Sequence, residues 1–137
     1  MTVTNTNQPL NEPSEIKTLT GLLREAHERA RASGWWAEYD ENTDPRFRMY
    51  WVAAKIALVH SEVSESLEAF RKDAMDDHLP TRRGIEVEFG DAIIRMFDLA
   101  GGLGLDLEGA IIEKMKYNSQ RADHKAEVRG MHGGKKL

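Results

Sequence analysis

Two acidic pairs inside apolar, helical stretches constrain the fold of this chain more than any other feature. They are Glu62-x-x-Glu65 and Glu88-x-x-Asp91. Residues three apart on a helix lie about 60° apart around its axis, so each pair directs both carboxylates to one side. The residues between the pairs leave room for a helix end, a short loop and a new helix start. The sequence therefore predicts two antiparallel helices that set four carboxylates against each other.

Four carboxylates in a helix bundle require a cation among them, because like charges at close range repel. Carboxylate oxygens favour magnesium, with manganese as an alternative. Acidic-x-x-acidic spacing recurs elsewhere among the 23 acidic residues, and only the apolar helical setting distinguishes these two pairs. We predict a metal site suited to phosphates. Its predicted ligands are Glu62, Glu65, Glu88 and Asp91.

Length and composition limit the class of protein. A chain of 137 residues forms one domain of ordinary size. It has no cysteine, so disulfides and thiolate metal sites are excluded. It also lacks an apolar run long enough to span a membrane, and its polar start does not resemble a signal peptide. We therefore expect a cytoplasmic protein. The net charge of −4 argues against a nucleic-acid polymer as partner but not against a single nucleotide, whose charge a metal can offset.

Helical spacing recurs along the chain and period-two alternation does not, which predicts an all-α, four-helix bundle. Residues 1–13 are predicted to be a disordered arm, 14–121 the helical domain and 122–137 a basic tail containing glycine and histidine. The predicted helices run from about Ser14 to Gly34, Phe47 to Lys72, Ile85 to Ala100 and Asp106 to Arg121. Residues 35–46 are predicted to be a loop that is broken by Pro45.

The third predicted helix is apolar around nearly its whole circumference. Its polar stripe consists of Glu88, Asp91, Arg95 and Asp98. A helix of this kind is buried on nearly all sides, which a small monomer cannot provide, so we expect oligomerisation to complete the core. On the second predicted helix, the expected core stripe is Ile56, Val59, Val63, Leu67 and Phe70.

Further candidates lie beside the acidic pairs and on the fourth helix. Trp51 and Lys55 share one side of the second helix with the first pair, which suggests a trough for a nucleotide base and phosphate. Trp51 is roughly 16 Å from Glu62 along the axis, a reach that suits a base. The alternative is the charged flank of an ordinary amphipathic helix. The fourth helix presents Lys114, Asn118 and Arg121, which suit phosphate oxygens and a sugar or base edge. The alternative is that the two cations only interact favourably with the helix dipole.

The segments KIALVHSEVSESLEAFRK and EVEFGDAIIRMFDLAGGLGLDLEGAIIEKMKYNSQR resemble the MazG-like branch of the all-α nucleoside triphosphate pyrophosphohydrolases. The family pattern is E-x-x-E, then E-x-x-D, then K-x-x-x-N-x-x-R. Its matches are Glu62, Glu65, Glu88, Asp91, Lys114, Asn118 and Arg121. The resemblance covers about residues 50–121. This chain departs from many members at Ser61, where they carry a glutamate.

The resemblance implies a homodimer or homotetramer that binds magnesium and hydrolyses a nucleoside triphosphate between its α and β phosphates. The products are a nucleoside monophosphate and pyrophosphate. The catalytic residues would be the four metal ligands, one of which would also orient the attacking water: Glu62, Glu65, Glu88 and Asp91. Lys114 and Arg121 would hold phosphate oxygens, Asn118 would hold phosphate or sugar, and Trp35, Trp36 and Trp51 are candidates for base stacking. A competing class is a non-catalytic helical bundle, which uses the acidic site for metal or nucleotide sensing or serves only assembly.

Overall fold

Helices make up most of the part of the chain that the structure describes. The structure is a computed structural model that describes residues 18–121 together with Glu127 and Met131. Its helices are α1 (Leu19–Ala32), α2 (Ala37–Glu41), α3 (Pro45–Lys72), α4 (Gly84–Gly102) and α5 (Leu107–Gln120). No strand is found in residues 18–121, and no helix there is long and apolar enough to span a bilayer.

The all-α prediction is therefore confirmed at the level of secondary structure. The predicted helix start at Ser14 and the predicted arm 1–13 lie outside the described residues, as does nearly all of the predicted tail 122–137. Within the described residues, α1 begins after Thr18, whose hydroxyl accepts a hydrogen bond from the backbone N–H of Gly21 at 3.0 Å. The last helix begins beside Asp106 as predicted, and the Asp106 carboxylate caps it by accepting a hydrogen bond from the backbone N–H of Gly109 at 2.9 Å.

The predicted loop 35–46 is wrong in two respects. It contains the short helix α2, and α3 begins at Pro45 rather than Phe47. Pro45 starts the helix because proline lacks the N–H that a first-turn residue would leave unpaired, and its φ angle suits a helix. The Asp44 carboxylate caps the same turn by accepting from the backbone N–H of Arg46 at 2.9 Å.

Helix α4 is the central element, and it packs against both α3 and α1. Its inward residues Ala92, Phe97 and Ala100 are buried, together with Trp36 from the α1–α2 connection. The Trp36 ring is 1% exposed and lies directly on Gly102, where a Cβ atom would overlap it. This contact anchors the α1–α2 connection to the end of α4.

The predicted core stripe of α3 is wrong for the single chain. Leu67 and Phe70 are each 60% exposed, and Ile56 and Val63 are also exposed. The buried residues of α3 are Glu62 and Ser66 instead. Apolar periodicity cannot distinguish a face that packs within one chain from a face left for another partner. Helix α3 therefore turns its acidic stripe towards α4 and leaves its most apolar stripe uncovered.

Helix α4 is also only partly covered by the chain. The large apolar side chains left exposed on it are Phe89, Ile93, Ile94 and Met96. Large exposed apolar side chains that lie together on one helix are typical of surfaces that bind a partner. Helix α5 also exposes large apolar side chains, among them Ile112 and Met115.

Candidate metal centre

Three of the four predicted ligands lie together between α3 and α4. Carboxylate oxygens of Glu62, Glu65 and Glu88 lie within 4.8 Å of one another. Glu62 is 6% exposed, Glu88 is half-buried and Glu65 is exposed, so the cluster runs from the helix interface to the surface. Helical spacing accounts for Glu62 and Glu65, and the packing of α4 on α3 adds Glu88.

The fourth predicted ligand, Asp91, lies at the same cavity but outside that close group. This acidic cavity has a volume of about 560 Å³. Its walls include the four predicted ligands together with Asp76, His78 and Arg95. The predicted placement of both acidic pairs on facing helices therefore agrees with the geometry.

The carboxylates repel one another in the metal-free protein. The pKa of Glu88 is raised by burial first, then by the charges of Glu65 and Glu62 and by a hydrogen bond with Glu62. The pKa of Asp91 is raised by burial and by Glu62, while the nearby Arg95 charge lowers it. A bound cation would relieve this repulsion.

The donor set of the cluster fits magnesium or manganese. All its ligand atoms are carboxylate oxygens, and hard divalent cations prefer such donors while retaining several waters. An octahedral magnesium ion with bonds of about 2.1 Å places its ligands up to about 4.2 Å apart. The three oxygens of the cluster lie within 4.8 Å of one another, close to that limit.

Arg95 is a member of the site whose role sequence reasoning missed. Its Nε donates a hydrogen bond to Oε1 of Glu62 at 2.6 Å across the α3–α4 interface. The available signal was its position on the polar stripe of α4, one helical turn after Asp91. That spacing indicates a shared face, but it does not identify Glu62 on the other helix as the partner.

The connection between α3 and α4 supplies a further wall that the sequence did not predict. The Asp76 carboxylate accepts from the backbone N–H groups of His78 at 3.0 Å and Leu79 at 2.6 Å. An antiparallel bridge joins Met75 to Arg83 at the base of this loop. These bonds hold Asp76 and His78 at the acidic cavity, whereas the sequence showed only a turn.

The predicted base and phosphate residues Trp51 and Lys55 are close to each other but do not line the acidic cavity. The Lys55 Nζ lies 4.7 Å from the centroid of the Trp51 ring and 5.3 Å from that of Trp35. Trp35 is 58% exposed. Trp36 is buried against α4 and donates its indole N–H to Asp98 at 2.7 Å, so this ring has no free face for a base.

A second cavity of about 340 Å³ lies between α1 and α4. Its apolar wall includes Ala26, Ala30, Trp35 and Ile94. Asp91 and Arg95 line this α1–α4 cavity as well as the acidic cavity, so the two spaces adjoin at these residues.

The predicted phosphate residues of α5 form their own group. The Lys114 Nζ lies 4.8 Å from the centroid of the Tyr117 ring, and the Arg121 guanidinium carbon lies 5.7 Å from it. None of Lys114, Asn118 and Arg121 lines the acidic cavity of the same chain. The side-chain oxygen of Asn118 is buried and has no hydrogen-bond partner among the described residues.

Comparisons with protein-family models, with curated proteins and with solved structures return no match for this chain.

Proposed function

We propose that the protein is a magnesium-dependent nucleoside triphosphate pyrophosphohydrolase that cleaves between the α and β phosphates. The observation that carries the proposal is the grouping of Glu62, Glu65 and Glu88, whose ligand oxygens lie within 4.8 Å of one another. A partly buried cluster of like charges is costly without a cation. The resemblance of residues 50–121 to MazG-like enzymes supports the choice of reaction.

In this proposal Glu62, Glu65 and Glu88 would hold the ion beside the triphosphate, and Asp91 would complete the ligand set from the same cavity. When bound, magnesium neutralises charge on the phosphate oxygens and lowers the pKa of a coordinated water. Water attacks the α phosphorus, the bond to the bridging oxygen of the β phosphate breaks, and pyrophosphate leaves. A carboxylate of the cluster orients the attacking water, and the proton lost by that water passes to solvent.

The proposal includes a homodimer or homotetramer. The exposed apolar faces of α3 and α4 favour it, because association would remove them from water. The position of α5 favours it too. Lys114, Asn118 and Arg121 do not reach the acidic cavity of their own chain, and the unpartnered oxygen of Asn118 needs a donor. Substrate or a second copy would provide that donor.

The second candidate function is non-catalytic sensing of metal or nucleotide, or assembly alone. The observation in its favour is the same separation of the α5 cations from the acidic cavity. A binding protein needs the carboxylates but does not need cations that stabilise a departing pyrophosphate.

Incubation with magnesium and a panel of nucleoside triphosphates separates the two functions. Catalysis should release a monophosphate and pyrophosphate, and excess chelator should abolish the release. Glu68→Gln is the matched control, because Glu68 is exposed, pairs with Lys72 at 3.1 Å and lies outside the acidic cavity. Release of orthophosphate and a diphosphate would contradict the assigned bond, and the absence of any product would favour sensing or assembly.

A further inference from the structure

Arg95 is the only lysine or arginine among the residues that line the acidic cavity, as far as the chain is described. It faces five carboxylates there, those of the four predicted ligands and Asp76. A single fixed cation inside such a cluster acts on every charge that enters it, because Coulomb forces at this range are only partly screened.

The guanidinium of Arg95 is only partly used. Its Nε–H is bonded to Glu62, and this is the one hydrogen bond that Arg95 makes within the described chain. Arginine carries five N–H donors, so the donors of its two terminal nitrogens remain available. The side chain is 35% exposed, and it borders both the acidic cavity and the α1–α4 cavity.

The charge of Arg95 and its unused N–H donors have opposite effects on the binding of metal and of polyphosphate. Its charge already balances Glu62 and repels an arriving divalent cation, which weakens binding of the free ion. Its terminal N–H groups suit bidentate contact with phosphate oxygens. Phosphate bound there would neutralise the repulsion and allow the carboxylates to hold the ion.

We propose that Arg95 couples metal binding to polyphosphate binding, so that the site accepts the two together and holds free metal weakly. This inference rests on the proposed function, since it concerns the same carboxylates. Coupling of this kind is a mutual free energy between two ligands, and it is reciprocal. Arg95 acts on the metal through Glu62 and binds phosphate directly.

A purely structural role for the Arg95–Glu62 pair makes the opposite prediction. If Arg95 only holds Glu62 in position, its loss should loosen the ligand and weaken metal binding. If Arg95 competes with the metal, its loss should tighten metal binding. The sign of one change in affinity therefore separates the two interpretations.

The test uses the full chain and calorimetric titration with Mn²⁺ alone. Arg95→Gln removes the charge and keeps an N–H donor for Glu62. We expect Arg95→Gln to bind Mn²⁺ roughly tenfold more tightly or better, and Arg95→Lys to stay near the parent. The matched control is Arg82→Gln, because Arg82 pairs with Glu86 at the surface and lies outside the cavity. Weaker or unchanged Mn²⁺ binding by Arg95→Gln would overturn the proposal.

The second arm titrates inorganic tripolyphosphate in saturating Mg²⁺. Metal chelation in solution is the same for every variant, so the ratio of affinities isolates the protein. We expect roughly tenfold weaker binding by Arg95→Gln, and equal binding would overturn the proposal. Arg95→Met replaces Arg95→Gln in both arms if the latter does not fold. Neither arm requires turnover, so a parent that shows this coupling but hydrolyses no nucleotide would refute only the proposed function.

Discussion

Glu88→Gln should stabilise the metal-free protein, although it replaces a residue of the candidate site. Glu88 has two close carboxylate neighbours, Glu62 and Glu65, with ligand oxygens within 4.8 Å. Two unit charges at 4.8 Å repel by about 0.9 kcal/mol in water, and by more where solvent is excluded. Glutamine keeps the shape, and its amide can donate the hydrogen bond to Glu62 that glutamic acid makes only when protonated.

Removing two such repulsions, with some screening by salt, should add about 1–2 kcal/mol to the free energy of unfolding. For a domain of this size that corresponds to a rise in Tm of roughly 3–10 °C. The measurement is thermal unfolding followed by circular dichroism in excess chelator. Magnesium supplied with tripolyphosphate, because the site is proposed to hold the free ion weakly, should then reverse the order, since a ligand bound only by the folded state adds about 2.7 kcal/mol at 100 times its Kd. The parent gains this stabilisation, and the variant, with one ligand fewer, gains little.

The control is Glu86→Gln, two residues earlier on α4. Glu86 is exposed and pairs with Arg82 at 3.7 Å, so its neutralisation should lower Tm slightly in chelator and leave the magnesium shift intact. A metal-free Glu88→Gln protein that melts below the parent would refute the argument from repulsion. An equal magnesium shift in parent and variant would show that Glu88 is not a ligand.

Three other predictions follow from the same geometry. If Lys114 holds phosphate, Lys114→Ala should lower kcat/KM at least roughly tenfold with little change in Tm, because a charge-assisted contact contributes about 1.5–3 kcal/mol. A lower Tm with equal activity would favour a structural role. Gly102→Ala should cost about 1–3 kcal/mol of stability, measured by denaturant unfolding, because its methyl group would overlap the buried Trp36 ring. The raised pKa values of Glu88 and Asp91 mean that the folded state keeps protons at higher pH than the unfolded state, whose carboxyls titrate near 4.5 and 3.8. Their contribution to metal-free stability should therefore increase as pH falls from neutrality towards those ordinary values, and a contribution that decreased over this range would contradict the assigned shifts.

Helix positions were predictable because they depend on local chemistry. The spacing of apolar residues located four helices, and Asp106 is an N-cap residue of a type that can be recognised from the sequence alone. The acidic pairs were predictable for the same reason, since helical spacing fixes which side chains share a face. The position of Pro45 was misread because a proline that ends one element can also begin the next.

The faces that pack together were less predictable, because packing depends on partners distant in sequence. On α3 the apolar stripe through Leu67 is exposed, while Glu62 is buried against α4. The bond from Arg95 to Glu62 and the placement of His78 depend on how the loop between α3 and α4 orients the two helices. Residue spacing within a helix carries no information about that orientation. Sequence reasoning thus identified the carboxylates but not the residues that surround them.

The position of Trp36 provides an optical probe of this fold. Its indole is shielded from water and donates its N–H to Asp98, while the adjacent Trp35 is largely exposed. Indole emission moves to longer wavelength in water. In a Trp51→Phe variant, which removes the third tryptophan 4.8 Å from the Trp36 ring, the two neighbours should therefore contribute separable bands. Unfolding of the α1–α2 connection from α4 would shift the Trp36 band and leave that of Trp35 almost unchanged. Detachment of this segment could therefore be followed in real time with the unlabelled Trp51→Phe variant, separately from events at the carboxylates.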